Sequence, residues 1–294
     1  IMELVRAKTG TPYEKALTAP IGLNRQIYLD LLKERLLSHI PITNNEGQIV
    51  GLVTSDEFIV DSVLDLHAVV MAGGLGTRLM PLTEHTPKPM LRVGEKPLLE
   101  IIVDQLRQAG IQKVNVTTHH HSEKIKEHFG NGYNFGVDIS YVSEERPLGT
   151  AGALSLLEQS GQTMLIINGD ILTDVDFRAM HNFHKEHDAD LTVAVRSYEM
   201  EVPYGVIESN GVVVREVREK PRISWMVNAG IYLLEPHVQR LVPTGQSFNM
   251  TDLIQQLLEE NLNVISFPIH EYWLDIGAHA EYKKAQEEFQ KRKL

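Results

Sequence analysis

Three glycines in four residues, Gly73, Gly74 and Gly76, stand in the run Ala72-Gly73-Gly74-Leu75-Gly76-Thr77-Arg78-Leu79, directly after the apolar stretch Val69 to Met71. Such density lets backbone N–H groups crowd around an anion without Cβ clashes, the chemistry of a loop that cradles phosphates. A flexible strand-to-helix turn has the same composition, so the neighbours decide. Arg78 and Lys88 bring two cations to the same segment, and Pro81, Pro87 and Pro89 stiffen the chain that carries them, which lowers the entropy lost in positioning. Two other phosphate loops fail: a P-loop needs Gly-Lys-Ser/Thr after four intervening residues, and a dinucleotide fingerprint needs a further glycine where Leu79 stands.

Two aspartates add hard oxygen donors. Asp170 ends Met164-Leu-Ile-Ile-Asn-Gly169-Asp170, at the C-terminal end of an apolar strand, where ligands bind in open α/β sheets. Asp275 follows a second short apolar run in Tyr272-Trp273-Leu274-Asp275-Ile276-Gly277. Mg²⁺ keeps several waters and takes one or two protein carboxylates beside substrate phosphates, so this pair suffices for it. An aspartate after a strand is also an ordinary turn or helix cap. Histidine offers less: His181, His184 and His187 recur every third residue, and on a helix the third swings off the face of the first. His119-His120-His121 lies at a strand end, where a solvated face or substrate contact is expected before zinc. The chain has no cysteine, which removes disulfides, thiolate metal sites and cysteine nucleophiles.

The elements that must hold these residues alternate. Expected strands are His67 to Met71, Lys113 to Thr117, Asp138 to Val142, Met164 to Asn168 and Leu191 to Arg196, with helices at Pro97 to Gln108, Ser122 to Phe129, Ala151 to Glu158 and Phe177 to His187. Gly110 stands where a C-terminal cap belongs. Further strands are expected at Gly205 to Ser209, Gly211 to Glu216, Ala229 to Leu234 and Val264 to Pro268, and helices at Thr251 to Glu259 and His279 to Lys291. Strand and amphipathic helix in alternation build a mostly parallel sheet covered on both faces.

The string Gly73 to Thr83, continuing through Pro87-Lys88-Pro89-Met90, resembles the signature of the sugar-phosphate nucleotidyltransferase family, and the likeness extends over about Leu66 to Gly277. The resemblance implies a Rossmann-like, mostly parallel mixed sheet and transfer of a nucleotidyl group from an NTP to a sugar 1-phosphate, releasing pyrophosphate. It implies a nucleotide site at Ala72, Gly73, Gly74, Gly76 and Thr77, with Arg78 and Lys88 acting on the phosphates and Asp170 and Asp275 holding Mg²⁺. Leu148-Gly149-Thr150-Ala151-Gly152-Ala153-Leu154 is similar to the family's nucleobase segment, so Gly149 and Thr150 join the nucleotide site. With Pro147 in front, it is closest to the guanylyltransferases that use mannose 1-phosphate or related hexose, aminosugar or heptose phosphates, which favours GTP over UTP, dTTP or CTP. Tyr204-Gly205, Glu219-Lys220 and Asn228 match acceptor segments; Lys220 is then expected on the sugar phosphate, and Glu219 and Asn228 on hydroxyls. A regulatory nucleotide-binding protein with an inactive transferase fold is the competing reading.

Residues 1–64 differ in texture from 65–294. A helix at Leu31 to Leu37, strands at His39 to Thr43 and Ile49 to Thr54, and a turn at Asn44 to Gly47 resemble a single CBS motif, a small α+β unit of a kind that binds adenine nucleotides in pairs. Glu57 stands where that family often has an aspartate, with Asp56 beside it. A structural or oligomerising role is an equal expectation, and a homo-oligomer is anticipated. The chain begins at Ile1, consistent with a truncated start, and ends soon after its last helix, so no repetitive extension is expected.

At 294 residues and 43% apolar, the chain has material for a large α/β domain and a smaller module. A formal charge of −11 argues against broad binding to nucleic acid, which needs a clustered basic surface. It does not disfavour small anions, which need only a few local cations and N–H groups. The longest apolar runs fall far short of the roughly 20 residues that span a bilayer, and no signal-peptide pattern is present, so no membrane association and a cytoplasmic location are expected.

Overall fold

The computed structural model describes residues 17–23, 25–35, 37, 39–44, 46–54, 64–119 and 121–292. The chain divides into two units, one ending at Val63 and one beginning at Leu64. Asp56, Glu57 and His120 lie outside the described residues.

In the N-terminal unit, β1 (Ala19–Pro20) runs parallel to β2 (His39–Thr43), which pairs antiparallel with β3 (Ile49–Thr54). The turn between the last two is fixed by Asn44 Oδ1, which accepts from the N–H groups of Glu46 and Gln48 at 3.0 and 2.9 Å, as an Asx turn does. Helix α1 spans Arg25–Glu34, one to two turns earlier than expected. Its inward face is Tyr28 and Leu32, an i,i+4 pair buried with Ala19, Ile40 and Ile42, and the Tyr28 hydroxyl donates to Pro20 O at 2.7 Å.

In the larger unit, β4 (His67–Met71) leads through the glycine-rich loop to α2 (Leu98–Gln108), β5 (Lys113–Thr118), α3 (Ser122–Phe129) and β6 (Asp138–Ser143). After β7 (Met164–Asn168), a short β8 (Ile171–Thr173) and α4 (Phe177–Glu186) come β9 (Leu191–Glu201), β10 (Val206–Asn210), β11 (Val213–Arg218) and β12 (Arg222–Leu234). Helix α5 (Met250–Glu259), β13 (Val264–Pro268), β14 (Trp273–Asp275) and α6 (His279–Arg292) complete it. Seven strands form one sheet in the order β13-β9-β12-β7-β4-β5-β6. All their pairings are parallel except those on either side of β12, which runs against both β9 and β7. The sheet is therefore mostly parallel and mixed.

Both faces are covered, as the period-2 alternation requires. Ala68 and Val70 of β4 and Leu165 and Ile167 of β7 join one apolar cluster with α2, while Val69, Met164 and Ile166 join another with Met250, Leu253 and Leu257 of α5. Leu99, Ile102, Val103 and Leu106 give α2 its stripe, each fully buried; a side chain of this kind stabilises the fold by about 1.5–3 kcal/mol relative to exposure.

The expected helix at Ala151 to Glu158 is instead one α-turn, Gly149–Gly152, followed by a 3₁₀ segment, Ala153–Leu156. The backbone N–H groups of Ala151 and Gly152 both bond to Phe248 O at 2.9 Å, which ties this segment sideways to the start of α5. Strands β9 and β12 run well past the sheet as a paired exposed ribbon, with the β10–β11 hairpin between them.

The spaced histidines of α4 meet different surroundings. His184 is fully buried, with Nδ1 on Thr192 Oγ1 at 2.7 Å and Nε2 on Glu235 Oε1 at 3.1 Å; His187 turns back to Phe183 O. Glu235 Oε1 also accepts from Thr163 Oγ1 and Lys185 Nζ, both at 2.7 Å. Burial alone would raise the Glu235 carboxyl, but donation from Lys185, Thr163 and His184 holds it at about 2. A carboxyl depressed on folding stabilises the native state above its ordinary pKa, and that contribution is lost as pH falls from about 4.5 to about 2. Its upper bound is roughly 3 kcal/mol at about 1.4 kcal/mol per unit, lowered by solvent around the half-exposed Lys185. Glu235→Gln is therefore expected to lose about 1–2 kcal/mol at pH 7 in urea unfolding, with the deficit shrinking below pH 4.5; a deficit constant to pH 3 would show that the carboxylate charge is not its source.

Candidate active site

The C-terminal ends of four parallel strands converge on one region, each delivering polar groups there. β4 delivers the glycine loop, β5 Thr117, β6 Glu144, and β7 Asn168, Gly169 and Asp170. This is the edge at which open α/β sheets bind ligands. Gly169 donates its N–H to Met71 O at 2.9 Å, so the β4 and β7 ends are joined backbone to backbone.

The glycine loop closes into a 3₁₀ turn at Thr77–Leu79. Gly76 has φ 64°, and a Cβ there would lie 2.9 Å from Thr83 Cγ2 and 3.2 Å from Lys88 Cβ. Only glycine fits this left-handed, crowded position. Thr83 is buried and its hydroxyl donates to Gly76 O at 2.8 Å, which pins the loop to the segment leading to Lys88. A cavity of about 350 Å³ results, bordered by Ala72, Gly73, Gly74, Gly76, Thr77, Arg78, Lys88 and Asp170, with Gly277 at its rim.

Charge is concentrated there. Lys88 is 8% exposed and forms an ion pair with Asp170 Oδ2. Asp275 stands opposite Ile171 in the β8–β14 pairing, and Ile276 N–H bonds to Asp170 O at 2.9 Å, so the two aspartate segments are joined. Protein around Asp275, open to solvent on one side, and then the Asp170 charge push its carboxyl above the ordinary range, against the pull of Lys88 and Arg78. Gly277 lies beside both groups: a Cβ there would be in ordinary contact, 3.6 Å from both Arg78 Nη1 and Asp275 Oδ1. Two hard oxygen donors on joined segments beside the cavity suit a divalent cation, and Mg²⁺ asks no more than one or two protein carboxylates beside phosphate oxygens.

A second cavity of about 240 Å³ adjoins the first, sharing Gly73, Gly74 and Asp170 and adding Thr117, Glu144, Gly149, Thr150 and Asn168. Gly149 has φ 79°, and a Cβ there would fall 2.7 Å from both Phe248 O and Asn249 Oδ1. Thr150 N–H bonds to Asn249 Oδ1 at 3.3 Å and its hydroxyl accepts from Met250 N–H at 3.0 Å. The wall of this cavity is thus stitched to the N-terminus of α5.

Glu144, absent from the residues singled out in the sequence, is the buried acid of that cavity. Its Oε2 accepts from Leu148 N–H at 3.0 Å, and its Oε1 lies 2.4 Å from where a Cβ on Gly73 would sit. The signal was a carboxylate at a strand end, as for Asp170, but Glu144-Glu145 offers two and only the pleat distinguishes them. The amide of Asn168, whose Oδ1 is buried without a partner, was missed as well.

The acceptor residues sit apart. Tyr204, Gly205, Glu219 and Lys220 border neither cavity; they lie where the exposed ribbon meets the β10–β11 hairpin, with Tyr204 74% exposed. Gly205 and Glu219 are neighbours there, a Cβ on Gly205 lying 3.0 Å from Glu219 Oε2. Asn228 is closer to the site: its Oδ1 accepts from Gly230 N–H at 2.9 Å, and Gly230 packs on Asn168.

Residues 67–292 match the nucleotidyl transferase family. The chain is 33% identical over 231 residues to the D-glycero-alpha-D-manno-heptose 1-phosphate guanylyltransferase of Aneurinibacillus thermoaerophilus, covering 76% of this chain and 99% of that protein. It is 31% identical to the UTP–glucose-1-phosphate uridylyltransferase of Synechocystis and 31% identical to the mannose-1-phosphate guanyltransferase of Yarrowia lipolytica, over 75% and 74% of this chain. In those two cases the alignment spans 62% of the relative's length. Among solved structures, a candidate glucose-1-phosphate thymidylyltransferase of Bacillus anthracis, crystallised with sucrose, superposes with a TM-score of 0.64 at 26% identity, over 76% of this chain and 95% of that one. No described helix is long and apolar enough to cross a membrane.

Gly149→Ala tests the second cavity's wall. Strained backbone and a clash with fixed main-chain atoms are expected to cost about 2 kcal/mol or more, read as a lower thermal midpoint. An unchanged midpoint would mean that the segment is not clamped to α5.

Proposed function

Because this chain belongs to the nucleotidyl transferase family, we propose that it joins an NTP to a sugar 1-phosphate, releasing pyrophosphate, and that the nucleotide is GTP. The observation that carries the base assignment is Glu144. A buried carboxylate only accepts hydrogen bonds, and guanine is the common base whose Watson–Crick edge offers two adjacent donors, N1–H and the 2-amino group. Uracil and thymine offer a single donor, N3–H, flanked by carbonyl oxygens that would face the carboxylate, and cytosine and adenine offer one amino group beside a ring acceptor, so each pairs the carboxylate less completely than guanine. The guanylyltransferases among the relatives support the same direction. For the sugar, a mannose 1-phosphate or related hexose, aminosugar or heptose phosphate is the corresponding reading.

In this proposal the triphosphate enters the larger cavity. Backbone N–H groups of Gly73, Gly74 and Gly76 and the guanidinium of Arg78 bind its oxygens, while Thr150 and Gly149 border the nucleoside. An oxygen of the sugar phosphate attacks the α-phosphorus in line; the new P–O bond forms as the α–β bridging bond breaks, and pyrophosphate leaves with that electron pair. Lys88 neutralises charge on the reacting phosphate, and positioning with electrostatic stabilisation supplies the rate. Asp170 and Asp275 would hold Mg²⁺, which when bound supplies further neutralisation of phosphate charge. Lys220, Glu219, Tyr204, Gly205 and Asn228 are proposed to receive the sugar phosphate. A regulatory protein with an inactive site is the weaker reading, since an adjacent cation and two carboxylates have no evident use in it. The N-terminal unit is proposed as the place where an adenine nucleotide would act.

The test is pyrophosphate release from Mg²⁺, each of four NTPs and a panel of sugar 1-phosphates. GTP is expected to lead, Asp170→Asn to lower kcat by on the order of 10²-fold or more, and Glu144→Gln to shift the preference from GTP towards UTP and dTTP. Full activity of Asp170→Asn with the fold intact would remove the metal role, and an unchanged base preference in Glu144→Gln would remove the guanine reading.

A further inference from the structure

We propose that His279 is a positioning residue for the nucleotide: it latches the loop carrying Arg78 to the strap carrying Asp275. The strap, residues 275–279, touches three parts of the site in sequence order. Ile276 N–H bonds to Asp170 O at 2.9 Å, Gly277 faces the Arg78 guanidinium, and His279 Nε2 donates to Met80 O at 2.8 Å. Met80 is two residues from Arg78, so its carbonyl fixes where that side chain departs from the loop. A carbonyl only accepts, which assigns the proton to Nε2.

The rest of the loop is held from another element. His121 Nε2 bonds to Glu84 O at 3.2 Å and Lys124 Nζ to His85 O, both from the start of α3, while Leu82 and Glu84 close turns onto Leu79 and Pro81. The segment between the two cations of the site, Arg78 and Lys88, is therefore gripped near Glu84 by α3 and near Met80 by α6. His279 is the grip that connects it to the carboxylates. The histidine run that suggested substrate contact is used similarly, with His119 Nδ1 on Glu144 O at 2.8 Å.

A merely structural role is separable, because α6 is anchored elsewhere. Tyr282 OH donates to Arg92 O at 2.7 Å, Gln286 Oε1 accepts from Gly94 N–H at 3.1 Å, and Ala285 is fully buried. Loss of the imidazole leaves these contacts in place, so the effect is local to the loop.

The inference rests on the proposed NTP site, and the experiment separates the two. His279→Ala and His279→Gln are compared with wild type by hydrogen exchange of residues 80–86, thermal midpoint, and steady-state kinetics with GTP and mannose 1-phosphate. Expected for His279→Ala are faster exchange in 80–86, a midpoint close to wild type, and KM for GTP raised roughly five- to tenfold, the worth of one net hydrogen bond, with KM for mannose 1-phosphate unchanged. Glutamine, whose Nε2 can reach the same carbonyl, is expected to restore most of both effects. Unchanged exchange would overturn the latch, and faster exchange with unaltered KM for GTP, or no rescue by glutamine, would overturn the positioning role. An inactive wild type would instead count against the NTP reading, while the exchange measurement still decides the latch.

Discussion

The ion pair between the buried Lys88 and the half-buried Asp170 is the interaction around which the site is organised. A lysine 8% exposed would be costly unpaired, and a carboxylate at the end of a hydrophobic strand would be costly without a cation. Each is tolerated because the other is there, and Asp275 and Arg78 add a second carboxylate and a second cation beside the pair. Partly buried pairs of this kind are a weak source of stability. Their proposed use here is to keep opposite charges next to a cavity where phosphate and cation would exchange with them.

That arrangement depends on backbone contacts more than on side-chain packing. Gly169 N–H on Met71 O and Ile276 N–H on Asp170 O tie the β4, β7 and β14 ends together. Ala151 and Gly152 N–H on Phe248 O tie the second cavity's wall to α5. The two apolar clusters fix the strands on which these links are built, with the parallel register carrying Met71, Thr117, Val142 and Asn168 to one edge.

Much of this was legible in the residues. Strands β4 and β7 fell at their expected bounds because continuous apolar runs end there in Gly-rich chain, and α3 because its polar and apolar residues keep helical period with a glycine after it. The glycine loop, Arg78, Lys88 and Asp170 do meet around one cavity. Less legible was anything set by long-range contact. β12 begins at Arg222, well before Ala229, because only its second half is buried and carries the apolar signal. The segment after Gly149 reads as a helix in isolation and is drawn into 3₁₀ geometry near Phe248. Helix α1 was offset because Tyr28, partly polar, is its buried anchor. Glu144 escaped notice because its burial depends on Gly73, distant in sequence, lacking a side chain.

The proposed chemistry, carried out by positioned charge with substrate oxygen as the only nucleophile, has a stereochemical consequence at phosphorus. The most direct measurement is therefore the configuration of the α-phosphorus in the product made from the Sp diastereomer of GTPαS with mannose 1-phosphate. A single in-line displacement between the glycine loop and the Lys88–Asp170 pair predicts inversion. Retention would contradict the account, since it requires two displacements and a nucleotidyl group held covalently on the protein.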